Sequence, residues 1–197
     1  MAKMQAVVDK WKRKIWFTIL APKSFDLREI GETPAVKDVN LINRVILINL
    51  GMITGQKNFK HIIMLFKVNS VKGTNAYTDI EGHKINPGYI HRLVSRRKSK
   101  ISDTLTVETA DNKKVKVSAL TLTGVKVERN KETRIRKLMK EAIIEKAKHC
   151  AYDNFVQEMV FGNLASDIFK KVKDLAPIKR IEITKSKILT SNKKESD

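Results

Sequence analysis

Asp79, Glu81 and His83 stand at alternate positions and are of residue types that do proton chemistry. On a strand, residues two apart project from one face, so the three would converge; paired carboxylates can hold a divalent ion or act as acid and base. The same spacing describes a solvated strand face whose acids pair with neighbouring Lys or Arg, which is the simpler reading. His149 and Cys150 are adjacent, but neighbours on a helix point about 100° apart. With His61, His83 and His91 scattered over other segments, no metal-ligand spacing arises. Gly51, Gly55 and Lys57 lack the four-residue gap and the immediately following Lys of a phosphate loop, so turns are their expected use. The sequence contains no complete catalytic constellation, and no cofactor is expected.

What the chain carries in excess is cation: 40 Lys and Arg against 21 Asp and Glu, a formal charge of +19. A magnitude of about 2 to 8 suffices to keep a small domain soluble. The surplus repels itself unless a polyanion is near, and RNA, DNA or an anionic membrane surface would each serve. Lys12, Arg13 and Lys14 are flanked by Trp11 and Trp16, setting phosphate-pairing charges beside rings able to stack on unpaired bases. Trp16 is expected in the core, and Trp11 fits either place. Arg92, Arg96, Arg97, Lys98 and Lys100 put five cations into nine residues. Arginine adds a rigid fork that grips phosphate bidentately. Arg129, Lys131, Arg134, Arg136, Lys137 and Lys140 precede or occupy the first turns of a long helix, whose positive end reinforces them. Lys179, Arg180, Lys185 and Lys187 form a fourth, sparser cluster. The dense run at 92–100 calls for an anion, with a solvated face as the minority reading, whereas the basic face of the long helix is often no more than solvated.

Between Lys148 and Lys170 there is no Lys or Arg, while Asp153, Glu158 and Asp167 are present. Phe155, Val156, Met159, Phe161, Leu164 and Ile168 there read first as a folding face and second as a docking face for another protein. The single cysteine cannot form an intramolecular disulfide, which fits a reducing compartment, the cytoplasm by default. The apolar stretch 15–21 reads as a strand instead of a signal segment. The uncharged stretch 45–56 spans 12 residues and contains Gly51 and Gly55, short of the roughly 20 that a membrane-spanning helix needs.

The elements that would position these residues are of the α+β class. From 11 to 128 the pattern is mostly strand-like, an antiparallel β-barrel-like sheet. Pro87 opens a short inserted helix. Apolar parity changes from Val115 and Val117 to Leu120 and Leu122, for which a bulge or corner is the expected cause. From 130 to 176 the pattern is mostly helical, with Ile135, Leu138, Met139, Ala142, Ile143 and Ala147 on one face. A strand over 178–189 returns to the sheet. Residues 1–10 and 190–197 read as a flexible and a disordered tail, leaving 11–189 as a single RNA-binding domain.

Several segments together are similar to a known family. They are the opening from Trp11-Lys12 through Ala21-Pro22-Lys23, Ile30-Gly31-Glu32-Thr33-Pro34-Ala35, and Leu93-Val94-Ser95-Arg96-Arg97-Lys98-Ser99-Lys100-Ile101. The late block FVQEMVFGNLASDIF at 155–169, resuming in RIEITKSKIL at 180–189, is the most specific. These resemble the archaeal and eukaryotic small-subunit ribosomal proteins of the S-three-Ae family, also called eukaryotic-type S-one. The likeness runs from Trp11 to Leu189 and is weakest between Asp38 and Val71. It implies a non-catalytic protein of mixed β-barrel and helices on the platform of the small subunit. It further implies contact with rRNA near its 3′ end, neighbouring platform proteins and proximity to the messenger RNA exit. The archaeal form is the nearer match. The residues by themselves leave open an RNA-processing enzyme built on Asp79, Glu81 and His83, and an architectural DNA binder, which charge permits but no helix-turn-helix or zinc spacing encourages.

Overall fold

The structure, a computed structural model, describes Trp11 and residues 13–189. Eight strands and five helices follow in the order β1 (Ile15–Leu20), β2 (Glu29–Ala35), β3 (Val45–Asn49), α1 (Leu50–Thr54), β4 (Ile62–Lys72), β5 (Asn75–Ile85), α2 (Pro87–Leu93), β6 (Lys100–Glu108), β7 (Lys114–Thr123), α3 (Arg129–His149), α4 (Tyr152–Val160), α5 (Asn163–Val172) and β8 (Ile178–Ile188). The expected tails and Lys12 lie outside the described residues.

β5 is the hub of the sheet. The order is β2-β1-β5-β8-β7-β6, with β4 also on β5 and β3 on β4. β4 runs antiparallel along β5; β1 meets its first residues in parallel, Leu20 opposite Tyr77, and β8 meets its last, Lys84 opposite Lys185. The other pairings are antiparallel. The sheet is open, with β2, β3 and β6 at its edges.

α3, α4 and α5 cover one face. Their heptad-like stripes bury Ile135, Met139, Ile143, Phe155, Val156, Leu164, Ile168 and Val172 against Val115, Val117, Ile181 and Ile183 of the sheet. The burial of so many branched and aromatic side chains, at roughly 1.5–3 kcal/mol each, is the main term opposing chain entropy. Thr121 on β7 donates its hydroxyl to Met139 Sδ at 3.2 Å. The expected helical section and returning strand are both present, and the late apolar block is largely a folding face; Phe161 is the exception, 43 % exposed and edge-on to Phe59.

α2 covers part of the opposite face. Asn86 caps it, accepting from Gly88 N–H at 3.0 Å, and Pro87 occupies the first turn, where its missing N–H costs nothing. Leu120 and Leu122 are buried on that face. Leu122 shares a recess with Leu93 and Val94, and Glu182, opposite Leu120, meets Tyr89 of α2. The parity change in β7 therefore has a different cause from the expected one. β7 pairs with β6 without a break, and its buried residues switch faces because both faces are covered there. The irregularities fall on β8, at Thr184 between Ile183 and Lys185 and at Lys179 between Ile178 and Arg180.

Three further expectations are corrected. Trp16 is 56 % exposed, because Phe17 and Ile19 take the inward phase of β1 and a period of two sends Trp16 outward. Asp79 and Glu81 line one recess, as expected, but His83 does not share their face. A bulge at Glu81 shifts the phase of β5, so that Asp79 stays exposed while His83 is 1 % exposed. Gly82 makes this possible: a Cβ there would stand 2.2 Å from the Ser186 carbonyl oxygen of β8. Gly51 lies within α1, and Gly55 ends it in the left-handed conformation at φ 73°.

Candidate nucleic-acid interface

His83 illustrates what the interior does with a titratable group. Its Nε2–H donates to the Ile183 carbonyl at 2.9 Å, and its Nδ1 accepts from the Ser186 hydroxyl at 2.7 Å. Burial lowers its pKa to about 4, so the ring is neutral near pH 7. Both nitrogens are engaged within the fold, which removes His83 from any surface chemistry with Asp79 or Glu81. Among the described residues, no group of three His, Cys, Asp or Glu is placed to hold a metal ion.

The cationic clusters lie at the surface, and the fold joins several that are distant in sequence. Residues 94–98 form a turn with Arg96 and Arg97 exposed and Arg97 in the left-handed region at φ 61°. Ser99 anchors that turn. Its N–H donates to Thr123 Oγ1 at 2.9 Å, its carbonyl accepts from Thr123 N–H at 3.1 Å, and its hydroxyl oxygen accepts from Val127 N–H at 3.1 Å. Ser99 and Thr123 are buried, so these bonds are shielded from competing water. The clamp holds the Arg96-Arg97-Lys98 turn against the segment that leads two residues later into Arg129 and α3.

α2 and β8 bring in a second pair. Leu122 stands opposite Lys100 on β6 and Arg180 on β8. The Arg180 guanidinium lies 5.8 Å from the Tyr89 ring centroid and donates to Glu182 Oε1 at 2.6 Å. Arg92 follows Tyr89 on α2 and acts electrostatically on its phenol. Burial and the Glu182 carboxylate raise the Tyr89 pKa, and His61, stacked at 4.0 Å on the Tyr89 ring, has its pKa lowered by burial. Around this aromatic pair, Arg92, Lys100 and Arg180 gather beside the Ser99 clamp. A surface of this composition offers guanidinium forks and point charges to phosphate oxygens.

Not every expected contact residue is equally available. Arg136 pairs with Glu132 at 3.5 Å, Lys140 with Asp103 at 3.1 Å, and Lys187 with Glu81 at 3.7 Å. Glu128 at the cap of α3 and Glu132 in its first turn already place carboxylates at the positive helix end. Arg96, Arg97, Lys98, Arg129, Lys131, Arg134, Lys137, Lys179 and Lys185 have no ion-pair partner among the described residues. The Trp11 cluster stands apart from this surface. Lys14 Nζ sits 3.9 Å over the exposed Trp11 ring, and β1 joins the opposite end of β5 from β8. Sequence reasoning missed Lys84, the one cation of β5, and Lys116, in the short run from Lys113 to Lys116; only the register places them beside Lys185 and Lys187.

Comparison with known proteins bears on this surface. Residues 2–192 match the model of the Ribosomal S3Ae family. The chain belongs to that family. Family members are ribosomal proteins, not enzymes. Similar proteins include the small ribosomal subunit protein eS1 of Sulfurisphaera tokodaii, 36 % identical over 189 residues that cover 96 % of this chain and 98 % of the relative. Those of Saccharolobus islandicus (strain L.S.2.15) and Saccharolobus solfataricus are 37 % and 36 % identical over 188 residues, covering 95 % of this chain and 90 % of each relative.

Proposed function

We propose that this chain is a structural constituent of the small ribosomal subunit, in the cytoplasm, and binds rRNA chiefly through phosphate contacts. The observation that carries the reading is the Ser99 clamp, which assembles the unpaired cations of the Arg96-Arg97 turn and the start of α3 into one exposed surface. Like charges brought this close cost stability in the free protein and are relieved by a polyanion. Specificity then comes from the shape of folded RNA, with Trp11 and Trp16 offering stacking surface at a separate place. Family resemblance supports a seat on the platform, near the rRNA 3′ end and the messenger RNA exit and beside other platform proteins.

The test is the Arg96→Ala/Arg97→Ala double variant. Both side chains are exposed, so the fold persists, whereas the salt dependence of rRNA binding becomes shallower by roughly 1.5 to 2 in log–log slope. Incorporation into subunits falls in competition with the unaltered protein. Unchanged slope and incorporation would remove this surface from the contact set.

A further inference from the structure

The uncovered part of the sheet, beyond α2, gathers lysines and hydroxyl side chains from four strands. Lys84 on β5 stands opposite Lys185 on β8, and Lys185 opposite Ser118 on β7, which in turn faces Thr104 on β6. One step along, Lys187 stands opposite Lys116, and Lys116 opposite Thr106. Residues opposite one another across a strand pair, or two apart along a strand, project from the same face. Four lysines and three hydroxyl side chains therefore form a lattice with spacings of roughly 5–7 Å. The Thr104 and Ser118 hydroxyls lie 2.9 Å apart. No apolar side chain lies among these seven, although Ile63 on β4, opposite Lys84, borders them on the same face; Val115, Val117 and Ile183 turn to the helical side.

Only one of these lysines is compensated internally, Lys187 by Glu81 at 3.7 Å. Lys84, Lys116 and Lys185 have no ion-pair partner among the described residues. Lysines set directly opposite one another on adjacent strands repel, and the hub strand is built to bring them close, since Gly82 lets β8 approach to where a Cβ would strike Ser186.

We infer that this sheet face is a second RNA-binding surface, which takes the sugar–phosphate backbone of folded rRNA on Lys84, Lys116, Lys185 and Lys187 without reading bases. The inference rests on the rRNA-binding reading above. A protein partner fits poorly, because protein interfaces have an apolar centre and are depleted in Lys, whereas nucleic-acid interfaces are polar and strongly positive. A base-stacking mode fits poorly as well, for the lattice has no aromatic residue. Lysine ammonium groups supply mobile point charges for phosphate, and the Thr and Ser hydroxyls donate beside them.

The experiment compares the full chain with its Lys84→Gln/Lys116→Gln/Lys185→Gln variant, measuring affinity for small-subunit rRNA of the same organism from 50 to 200 mM salt. The variant is expected to lose affinity at low salt and to have a slope shallower by about 2.1 to 2.7, so that the unaltered protein weakens roughly 20- to 40-fold more over that range. Circular dichroism of the variant checks the fold, and Lys116→Gln alone, expected to lower the slope by about 0.7 to 0.9, repeats the test with one exposed side chain. An unchanged slope in folded variants, with the unaltered protein still bound in a salt-dependent way, overturns the sheet-face inference alone and leaves an acidic protein as the occupant to seek. Absence of salt-dependent binding by the unaltered protein overturns the rRNA reading itself.

Discussion

The sheet face with its adjoining Arg96-Arg97 turn and the α4–α5 block treat charge in opposite ways. On the first, Arg96, Arg97, Lys84, Lys116 and Lys185 are left without ion-pair partners among the described residues. In the second, acids and bases answer one another: Lys146 of α3 meets Glu158 of α4 at 3.2 Å and Asp167 of α5 at 3.5 Å, Lys170 meets Asp167 at 3.2 Å, and Lys171 pairs with Glu145. Beneath those pairs Phe155, Val156, Leu164 and Ile168 are wholly buried. Charge that is paired inside the chain links its elements, whereas charge left unpaired in clusters repels itself and would be relieved by a polyanion.

The largest effect that could break this contrast comes from the packed block. Phe155→Ala, at a fully buried ring, is expected to cost about 3–5 kcal/mol in denaturant unfolding. Where the variant remains folded, its salt slope for rRNA should match that of the unaltered protein. A changed slope would mean that the block contributes to the interface.

A second effect tests the interior histidine. His83 has its pKa lowered from 6.5 to about 4 by burial. Above pH 6.5 neither state of the chain protonates it. As pH falls from about 6.5 towards 4, the unfolded state takes up the proton while the folded state does not, so stability is lost over that window, by about 3 kcal/mol at most, and levels off below it. Unfolding measured at stepped pH should show this loss, and His83→Gln should flatten it. A loss that persists in the variant would assign the pH dependence to the carboxylates instead.

The smallest effects sharpen the comparison by their signs. Lys146→Met removes two of the three ion pairs between α3 and the α4–α5 block, leaving Lys171–Glu145, and should destabilise by roughly 0.2–1 kcal/mol. Lys185→Thr relieves a like-charge pair with Lys84 and should stabilise the free protein by a similar amount at low salt, the gain fading as salt rises. Equal signs in thermal unfolding would erase the distinction between the two regions.

Much of this organisation is legible in the sequence. The helical period from Ile135 to Ala147 predicts the buried face of α3, Pro87 marks the start of α2, and the alternation of Ile181 and Ile183 predicts the returning strand. The dense runs around Arg96 and Arg134 announce themselves by local composition. What sequence conceals is whatever depends on non-local register. The bulge at Glu81 reverses the phase of His83 because Gly82 admits β8, a fact residing in a strand about a hundred residues away. Leu120 and Leu122 break the parity of β7 because α2 folds over them. Trp16 looks like core by type but takes the outward phase set by Phe17 and Ile19. Lys84 and Lys116 are unremarkable alone and become a lattice with Lys185 and Lys187 only when three strands are aligned.

The most direct measurement of the central claim is gradient sedimentation of native cell extract at low and moderately high salt, following this protein against small-subunit rRNA. Stoichiometric comigration with the small subunit at both salts is the predicted result. A free pool, or one washed off at the higher salt, would contradict a resident ribosomal role and return the cationic surface to the processing-factor and DNA-binding readings.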